Sequence, residues 1–376
     1  MNPESEGAAM RILFWVSVVV LVWPWLGYPA AIWILARLRP RQIRRSFHCG
    51  RQPVTVAVVA RDEAAHLGRK LESIAASGLP PELIETIVVD DGSVDATATV
   101  ARELGARVIS LPKSIGKAAA LNVARGAASH PLLVLTDARQ PFMPGALAAL
   151  LAPFSDPRVA AVGGELAGAA TGAGGVYRRF DDLLRRLESA SGSTVGVAGA
   201  IWAVRRSLLP SFPDELVLDD VFGPLVVART GRRVVIEPEA KVAESPLAAS
   251  EQAERHRRVR TLAGNVQLLV RAPWLLCPCV NPLWWRFVSH KVLRIFGPAG
   301  CVGIAVSLPV LAVQESFFRL VGLAFVAGLA LAVTGRRAAW LGTLARAFVC
   351  SQWLCAVAWW YAVSGRSFSL WRMRES

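Results

Sequence analysis

The sequence is short of charge, and of acid in particular. Only 19% of its 376 residues are charged, with 28 Asp and Glu against 42 Lys and Arg, a formal +14. With 53% hydrophobic residues and a mean hydropathy of +0.41, this composition is too apolar for an ordinary soluble enzyme and points to a membrane protein. Disorder and collagen-like repeats are excluded. Cys49, Cys277, Cys279, Cys301, Cys350 and Cys355 lack paired C-x2-C spacing, so they give no support to a disulfide framework or a zinc site and read as reduced thiols. No G-x-G-x-x-G follows the first strand pattern and no G-x-x-x-x-G-K-[ST] occurs, which removes the mechanical basis for a dinucleotide oxidoreductase or a P-loop ATPase. Internal repeats and low-complexity linkers are also absent. The basic excess leaves three classes of partner: nucleic acid, an anionic membrane surface, or a phosphorylated substrate.

The positive features begin with a membrane helix. Residues 12–36 carry no charge, and at about 1.5 Å per residue they span roughly 37 Å, enough to cross a bilayer with some tilt. The run is longer than the apolar part of a signal peptide and no small-x-small cleavage site succeeds it. The preceding tail, residues 1–11, holds Glu4, Glu6 and Arg11, whereas Arg37, Arg39, Arg41, Arg44 and Arg45 crowd the exit. The positive-inside rule therefore places the chain beyond Arg37 in the cytoplasm, and these arginines are expected on anionic lipid headgroups. With no aromatic-interleaved basic stretch elsewhere, nucleic acid is not an expected partner. Further apolar runs at 295–314, 320–335 and 347–365 predict about three more spans over 295–365, before a tail at 366–376. If all three cross, Arg366, Arg372 and Arg374 end outside, so charge leaves their topology open. Within 272–294, Trp284, Trp285, Arg286, His290, Lys291 and Arg294 predict a helix lying in the membrane interface.

Between these regions, in a cytoplasmic domain at 37–271, short β-branched runs alternate with amphipathic stretches. Strands are expected at 54–60, 84–90, 106–111, 132–136, 159–163, 195–204 and 233–237, and helices at 63–76, 95–104, 116–127, 145–152, 176–189, 219–228 and 250–271. This is an α/β pattern, a mostly parallel sheet covered by helices. Ligands of such sheets sit beyond the carboxyl ends of the strands. There the sequence places Asp62 and Glu63, then Asp90, Asp91, Gly92 and Ser93, then Asp137 and Arg139. Carboxylates so placed can accept hydrogen bonds from a base or ribose, or hold a divalent cation. A lone Asp91-Gly92-Ser93 is equally ordinary turn chemistry.

The ordered set resembles glycosyltransferase family 2, in particular its membrane-embedded polysaccharide-synthase-like members of the cellulose and hyaluronan synthase kind. The resemblance rests on residues 56–63, residues 87–95 with Asp90-Asp91-Gly92-Ser93, residues 116–122 starting Gly116-Lys117, Thr136-Asp137-Ala138-Arg139, Leu218-Asp219-Asp220 and Arg257-Arg258-Val259-Arg260. It implies a GT-A-like sheet with helices on both faces. By the resemblance, Asp62 and Asp91, with Glu63 and Asp90 beside them, bind the donor nucleotide, and the Gly116-Lys117 loop covers the donor. Asp137 matches the first acid of the family's D-x-D metal motif. Arg139 replaces the second, which weakens the case for Mg²⁺ or Mn²⁺ and leaves Arg139 the alternative of touching the diphosphate. Asp220 matches the general base with Asp219 beside it, a helix cap being the alternative. Arg257 and Arg260 match the family's Q-x-x-R-W segment without its Gln and Trp, so Arg260 is expected on the leaving diphosphate, and processivity is left open.

The implied activity is a membrane-bound, inverting transfer from a nucleotide-sugar, expected to be UDP-linked, to a growing polysaccharide or lipid-linked glycan. A single transfer to polyprenyl phosphate or a lipid is the alternative. Donor, acceptor and membrane lipids are the expected partners, and the inner membrane with a cytoplasmic catalytic domain is the expected location.

Overall fold

In the computed structural model, the described residues are 3–45, 52–168, 172–244, 251–334 and 340–364. Cys49 and the 366–376 tail lie outside them. The chain divides into two compact units, one of residues 32–254 and 267–286, the other of residues 1–31, 255–266 and 287–366.

The second of these is helical. Helix α1 (Pro3–Val22) runs through a π-helical turn (Trp23–Gly27) into α2 (Tyr28–Leu38), which continues into the first unit. Pro24 accounts for the irregular turn, because its ring removes a backbone donor from the helical ladder. In place of one span at 12–36 the helix is longer: Ser5–Leu38 is one of two described stretches long and apolar enough to cross a membrane.

The first unit is the α/β fold expected. Its elements in order are β1 (Val54–Ala60), α3 (Ala64–Ala75), β2 (Ile84–Asp90), α4 (Thr97–Glu103), β3 (Arg107–Ser110), α5 (Lys117–Ala127), β4 (Leu132–Asp137), α6 (Ala146–Leu151), β5 (Val159–Ala167), α7 (Gly172–Ser191), β6 (Ile201–Arg205), α8 (Asp219–Ala228) and β7 (Arg233–Ala243). They form one seven-stranded sheet in the order β3-β2-β1-β4-β6-β5-β7. Only β6 runs antiparallel to its neighbours. All of β1 is buried, as a central strand covered on both faces must be. Alternate residues Val54, Val56, Val58 and Ala60 join Leu67, Leu71, Ile74, Leu147 and Leu150 of α3 and α6 in the main core.

One expected strand is shorter than its apolar pattern. Residues 195–200 are buried loop, and β6 starts only at Ile201. Burial alone does not make a strand, and here the glycines at 196 and 199 pack against the start of α8.

After α9 (Glu251–Arg271), the mixed aromatic and basic stretch forms α10 (Trp284–Phe287), a π-helical turn (Val288–Val292) and α11 (Leu293–Ile295). Of its basic side chains, Arg286, His290 and Arg294 are buried and Lys291 is half-buried. Arg286 donates to the carbonyls of Glu188, Ser191 and Ser193, closing the end of α7. A guanidinium suits this place because exposed carbonyls at a helix C-terminus carry partial negative charge. Helices α12 (Gly297–Gln314), α13 (Ser316–Thr334) and α14 (Trp340–Val363) then occupy the three apolar runs, and Gly297–Gln314 is the second described stretch that meets the length and composition of a span. Phe14 of α1 packs with Ile304, Leu308 and Leu311 of α12 and Phe318 of α13, and Arg11 pairs with Glu315 at 2.8 Å.

Arg286→Met keeps the apolar stem and strands the α7 carbonyls, so it is expected to cost about 3 kcal/mol. A thermal or denaturant melt of the purified protein checks this, and an unchanged midpoint would refute the assignment.

Candidate functional site

The three central strands present their carboxyl ends side by side. In the register of the sheet Ala60 of β1 lies beside Asp90 of β2, and Val59 beside Asp137 of β4. Asp62, Asp90, Asp91 and Asp137 are therefore delivered to one edge by parallel pairing alone.

The loops there are tied to one another. Asp62 sits at φ +54°, donates its N–H to Ser93 Oγ (3.0 Å) and accepts the Val94 N–H at Oδ1 (2.9 Å). Asp90 Oδ1 accepts the Ser93 N–H at 3.0 Å, the turn chemistry expected of Asp-x-x-Ser. Asp91 is fully buried, and its carboxylate accepts from Ile115 N–H (2.7 Å), Gly116 N–H (3.1 Å) and Ser114 Oγ (2.8 Å). Its present role is thus to build the loop that precedes Lys117. Gly92, at φ +69°, makes room for that loop: a Cβ there would lie 2.6 Å from Ser114 N and 2.7 Å from Lys113 C.

Lys117, the first residue of α5, extends its ammonium between two carboxylates. Nζ is 3.1 Å from Asp137 Oδ1 and 3.4 Å from Asp219 Oδ1. Asp137 is 39% exposed at its side chain, Lys117 22% and Asp219 5%, so the trio opens to solvent on the Asp137 side. Asp219 and Asp220 are the first two residues of α8, whose N-cap is Leu218 with no side-chain cap. Neither carboxylate is used as the cap considered from sequence. Asp220 is half-buried against Gly199, where a Cβ would sit 3.2 Å from Oδ2, and its carbonyl accepts the Val197 N–H at 2.9 Å.

Several positioning residues are not singled out by sequence. Asn122, five residues beyond Lys117 on α5, donates to Phe212 O and accepts from Phe212 N–H, both at 2.8 Å, which ties α5 to the segment leading to Asp219. Gln267 clamps the same segment through Val217 N–H (3.0 Å) and Glu215 O (2.9 Å). Such bonds to distant backbone leave no local pattern. On α7, Arg185 pairs with Asp182 (2.9 Å) and Asp181 (3.1 Å). Burial opposes the Arg185 charge, but Asp181, Asp182 and Asp220 outweigh it and hold the guanidinium protonated, while burial raises Asp182. The only sequence signal for these is their i, i+3 and i, i+4 spacing.

Arg139 donates its Nε to both oxygens of Glu63 (2.7 and 2.8 Å), and Glu63, buried, also lies 3.0 Å from His66 Nδ1. The Arg139 Nε and the Glu63 carboxylate thus satisfy each other. Arg257 and Arg260 are exposed on α9.

Two carboxylates are of the oxygen type that a hard divalent cation takes. Asp137 and Asp219 direct oxygens at one cationic point, now the Lys117 ammonium. Among the described residues no three ligating side chains form a cage. A set this lean matches an ion held by one or two carboxylates together with substrate phosphates.

Comparison with known proteins finds likenesses that include the sheet domain. Residues 55–210 match the model of the family "Glycosyl transferase family 2". A succinoglycan biosynthesis protein, ExoU, of Rhizobium meliloti strain 1021 is 35% identical over 103 residues, 26% of this chain and 29% of that protein. The chain thus aligns with under a third of that relative's length. A solved mannosyltransferase of Pyrobaculum calidifontis, in complex with GDP-Man and Mn²⁺, superposes with a TM-score of 0.71 at 23% identity, over 94% of this chain and 99% of that one. At that identity the likeness is one of fold.

Gly92→Ala is expected to displace the 113–116 loop and lower stability by about 2 kcal/mol or more through overpacking and a strained φ. Faster proteolysis within that loop, at unchanged cleavage elsewhere, is the measurement. Wild-type cleavage would show that the loop does not depend on Gly92.

Proposed function

From a chain whose residues 55–210 match glycosyl transferase family 2, we propose a membrane-bound, inverting glycosyltransferase. It takes a sugar from a nucleotide-sugar and passes it to a growing glycan or lipid-linked acceptor. The observation that carries this is the convergence of Asp137, Lys117 and Asp219 beside Asp220, at the strand ends that Asp62 and Asp90 also flank.

In this reading the nucleotide lies over the loops of Asp62, Asp90 and Asp91, and the diphosphate reaches Lys117. A lysine point charge at a glycine-preceded helix start suits phosphate oxygens. Asp137, with Asp219, would hold a Mg²⁺ or Mn²⁺ ion, which when bound neutralises charge on the departing diphosphate. Asp220 accepts the proton of the acceptor hydroxyl as its oxygen bonds to the anomeric carbon. The bond from that carbon to the diphosphate breaks with its electron pair on the leaving oxygen. One base and no positioned nucleophile give a single displacement, hence inversion. Arg257 and Arg260 are offered as diphosphate or acceptor contacts.

The membrane part of the proposal rests on Ser5–Leu38, Gly297–Gln314 and the arginines at 37–45. With the cytoplasm on the arginine-rich side, the donor would come from the cytoplasmic pool. The absence of Gln and Trp around Arg260 favours a second product pattern, one transfer to polyprenyl phosphate or a lipid.

Membranes holding the protein, given UDP- and GDP-linked labelled sugars with and without chelator, are expected to release nucleoside diphosphate from one donor, more slowly with chelator. Product size then separates chain extension from single transfer. Asp220→Asn is expected to lower kcat by about 10²–10⁴-fold with donor affinity retained. Wild-type turnover in that variant would remove Asp220 as the base.

A further inference from the structure

Lys70 is an unexpected residue to find inside the sheet domain. It lies on α3, is fully buried, and makes no ion pair among the described residues. Lysines are almost never buried unless paired, because an ammonium loses its hydration. Burial accordingly lowers its pKa well below the usual lysine value, and the nearby Asp137 charge works in the opposite direction.

Its partners all belong to one turn. Nζ donates to Thr136 Oγ1 and to Gln140 O, both at 2.7 Å, and lies 3.8 Å from the centroid of the Phe142 ring. Thr136 and Gln140 bracket Asp137 and Arg139. Because Thr136 Oγ1 donates its single proton to Ala200 O (2.6 Å), it must accept from Lys70, which fixes the direction of the chain. Ala200 follows Gly199, the residue against which Asp220 packs. Two further ties flank this one: Glu63, at the N-cap of α3, holds Arg139, and Ser73 Oγ on the helix accepts the Phe142 N–H at 2.9 Å. Helix α3 is thus a platform to which the 136–142 segment is fastened at three points.

We infer that Lys70 is a positioning residue for the transfer reaction. Through Thr136 and Gln140 it sets the turn that aims Asp137 at Lys117, and through Thr136 and Ala200 it couples that turn to the wall beside Asp220. A merely structural lysine at this depth, replaced by an apolar side chain of equal length, would change stability and leave donor Kd and kcat of the folded protein as they were. A positioning lysine would change these too, because the turn would keep its fold and lose its aim.

The inference rests on the proposed donor site, and the experiment separates the two. Nucleotide-sugar binding is measured by calorimetry, and steady-state kinetics are run, on wild type, Lys70→Met, Lys70→Arg and Thr136→Val. All are full-length, and thermal melts establish which are folded. Lys70→Met, which leaves Gln140 O without its donor, is expected to fold with a lowered melting temperature, to bind donor at least 10-fold more weakly and to lose at least 10-fold in kcat. Thr136→Val, which removes both the acceptor of Lys70 and the donor to Ala200 but leaves the Lys70–Gln140 bond, is expected to lower kcat with a smaller change in donor Kd, a split that loss of packing would not give. A folded Lys70→Met or Thr136→Val with wild-type Kd, KM and kcat would overturn the inference. If Lys70→Met does not fold, Thr136→Val alone decides. Wild type that binds no nucleotide-sugar would instead overturn the donor-site reading on which the inference stands.

Discussion

The site depends on concentrated negative charge held beside one ammonium. Asp62, Asp90, Asp91, Asp137, Asp219 and Asp220 come to one edge of the sheet, where mutual repulsion would spread their loops if nothing opposed it. Lys117 sits between Asp137 and Asp219, Arg139 neutralises Glu63, and Arg185 faces Asp181, Asp182 and Asp220. The carboxylates left partly exposed, Asp62 and Asp137 above all, are those a donor could reach from solvent.

Those cations are held by the scaffold in different ways. Asp91 and Gly92 shape the loop that presents Lys117, so the acid pair at the end of β2 has unequal duties: Asp91 organises, while Asp90 closes its own turn. Asn122 and Gln267 fix the segment entering α8 and thereby the height of Asp219 and Asp220. Positioning by bonds to backbone is economical here, since one carboxamide satisfies a donor and an acceptor together. Precise placement matters because catalysis by a positioned base falls steeply with misalignment.

Much of this is legible in the chain. β1 and β2 begin and end where their β-branched runs do, and the acids follow because parallel strands end side by side. The mismatch at 195–200 comes from apolar residues whose burial is that of a loop packed beneath Asp220, where glycines 196 and 199 are the sign against a strand. Arg139 reads from sequence as either a lost metal ligand or a phosphate contact, and its partner Glu63 lies 76 positions away, beyond any local pattern. Lys70 resembles any solvated lysine of an amphipathic helix, and Arg286 a headgroup contact, because sequence gives residue type without orientation. The apolar runs from which three C-terminal spans are expected each hold a helix, and of these Gly297–Gln314 meets the length and composition of a span among the described residues.

The most direct measurement is a cryo-electron microscopy structure of the full-length protein with an intact nucleotide-sugar bound. The account predicts the nucleotide against the loops of Asp62 and Asp90, the diphosphate within hydrogen-bonding distance of Lys117 Nζ, and the anomeric carbon open on the side of Asp220. A diphosphate bound away from Lys117, with the Asp137–Lys117–Asp219 contact unchanged, would contradict it.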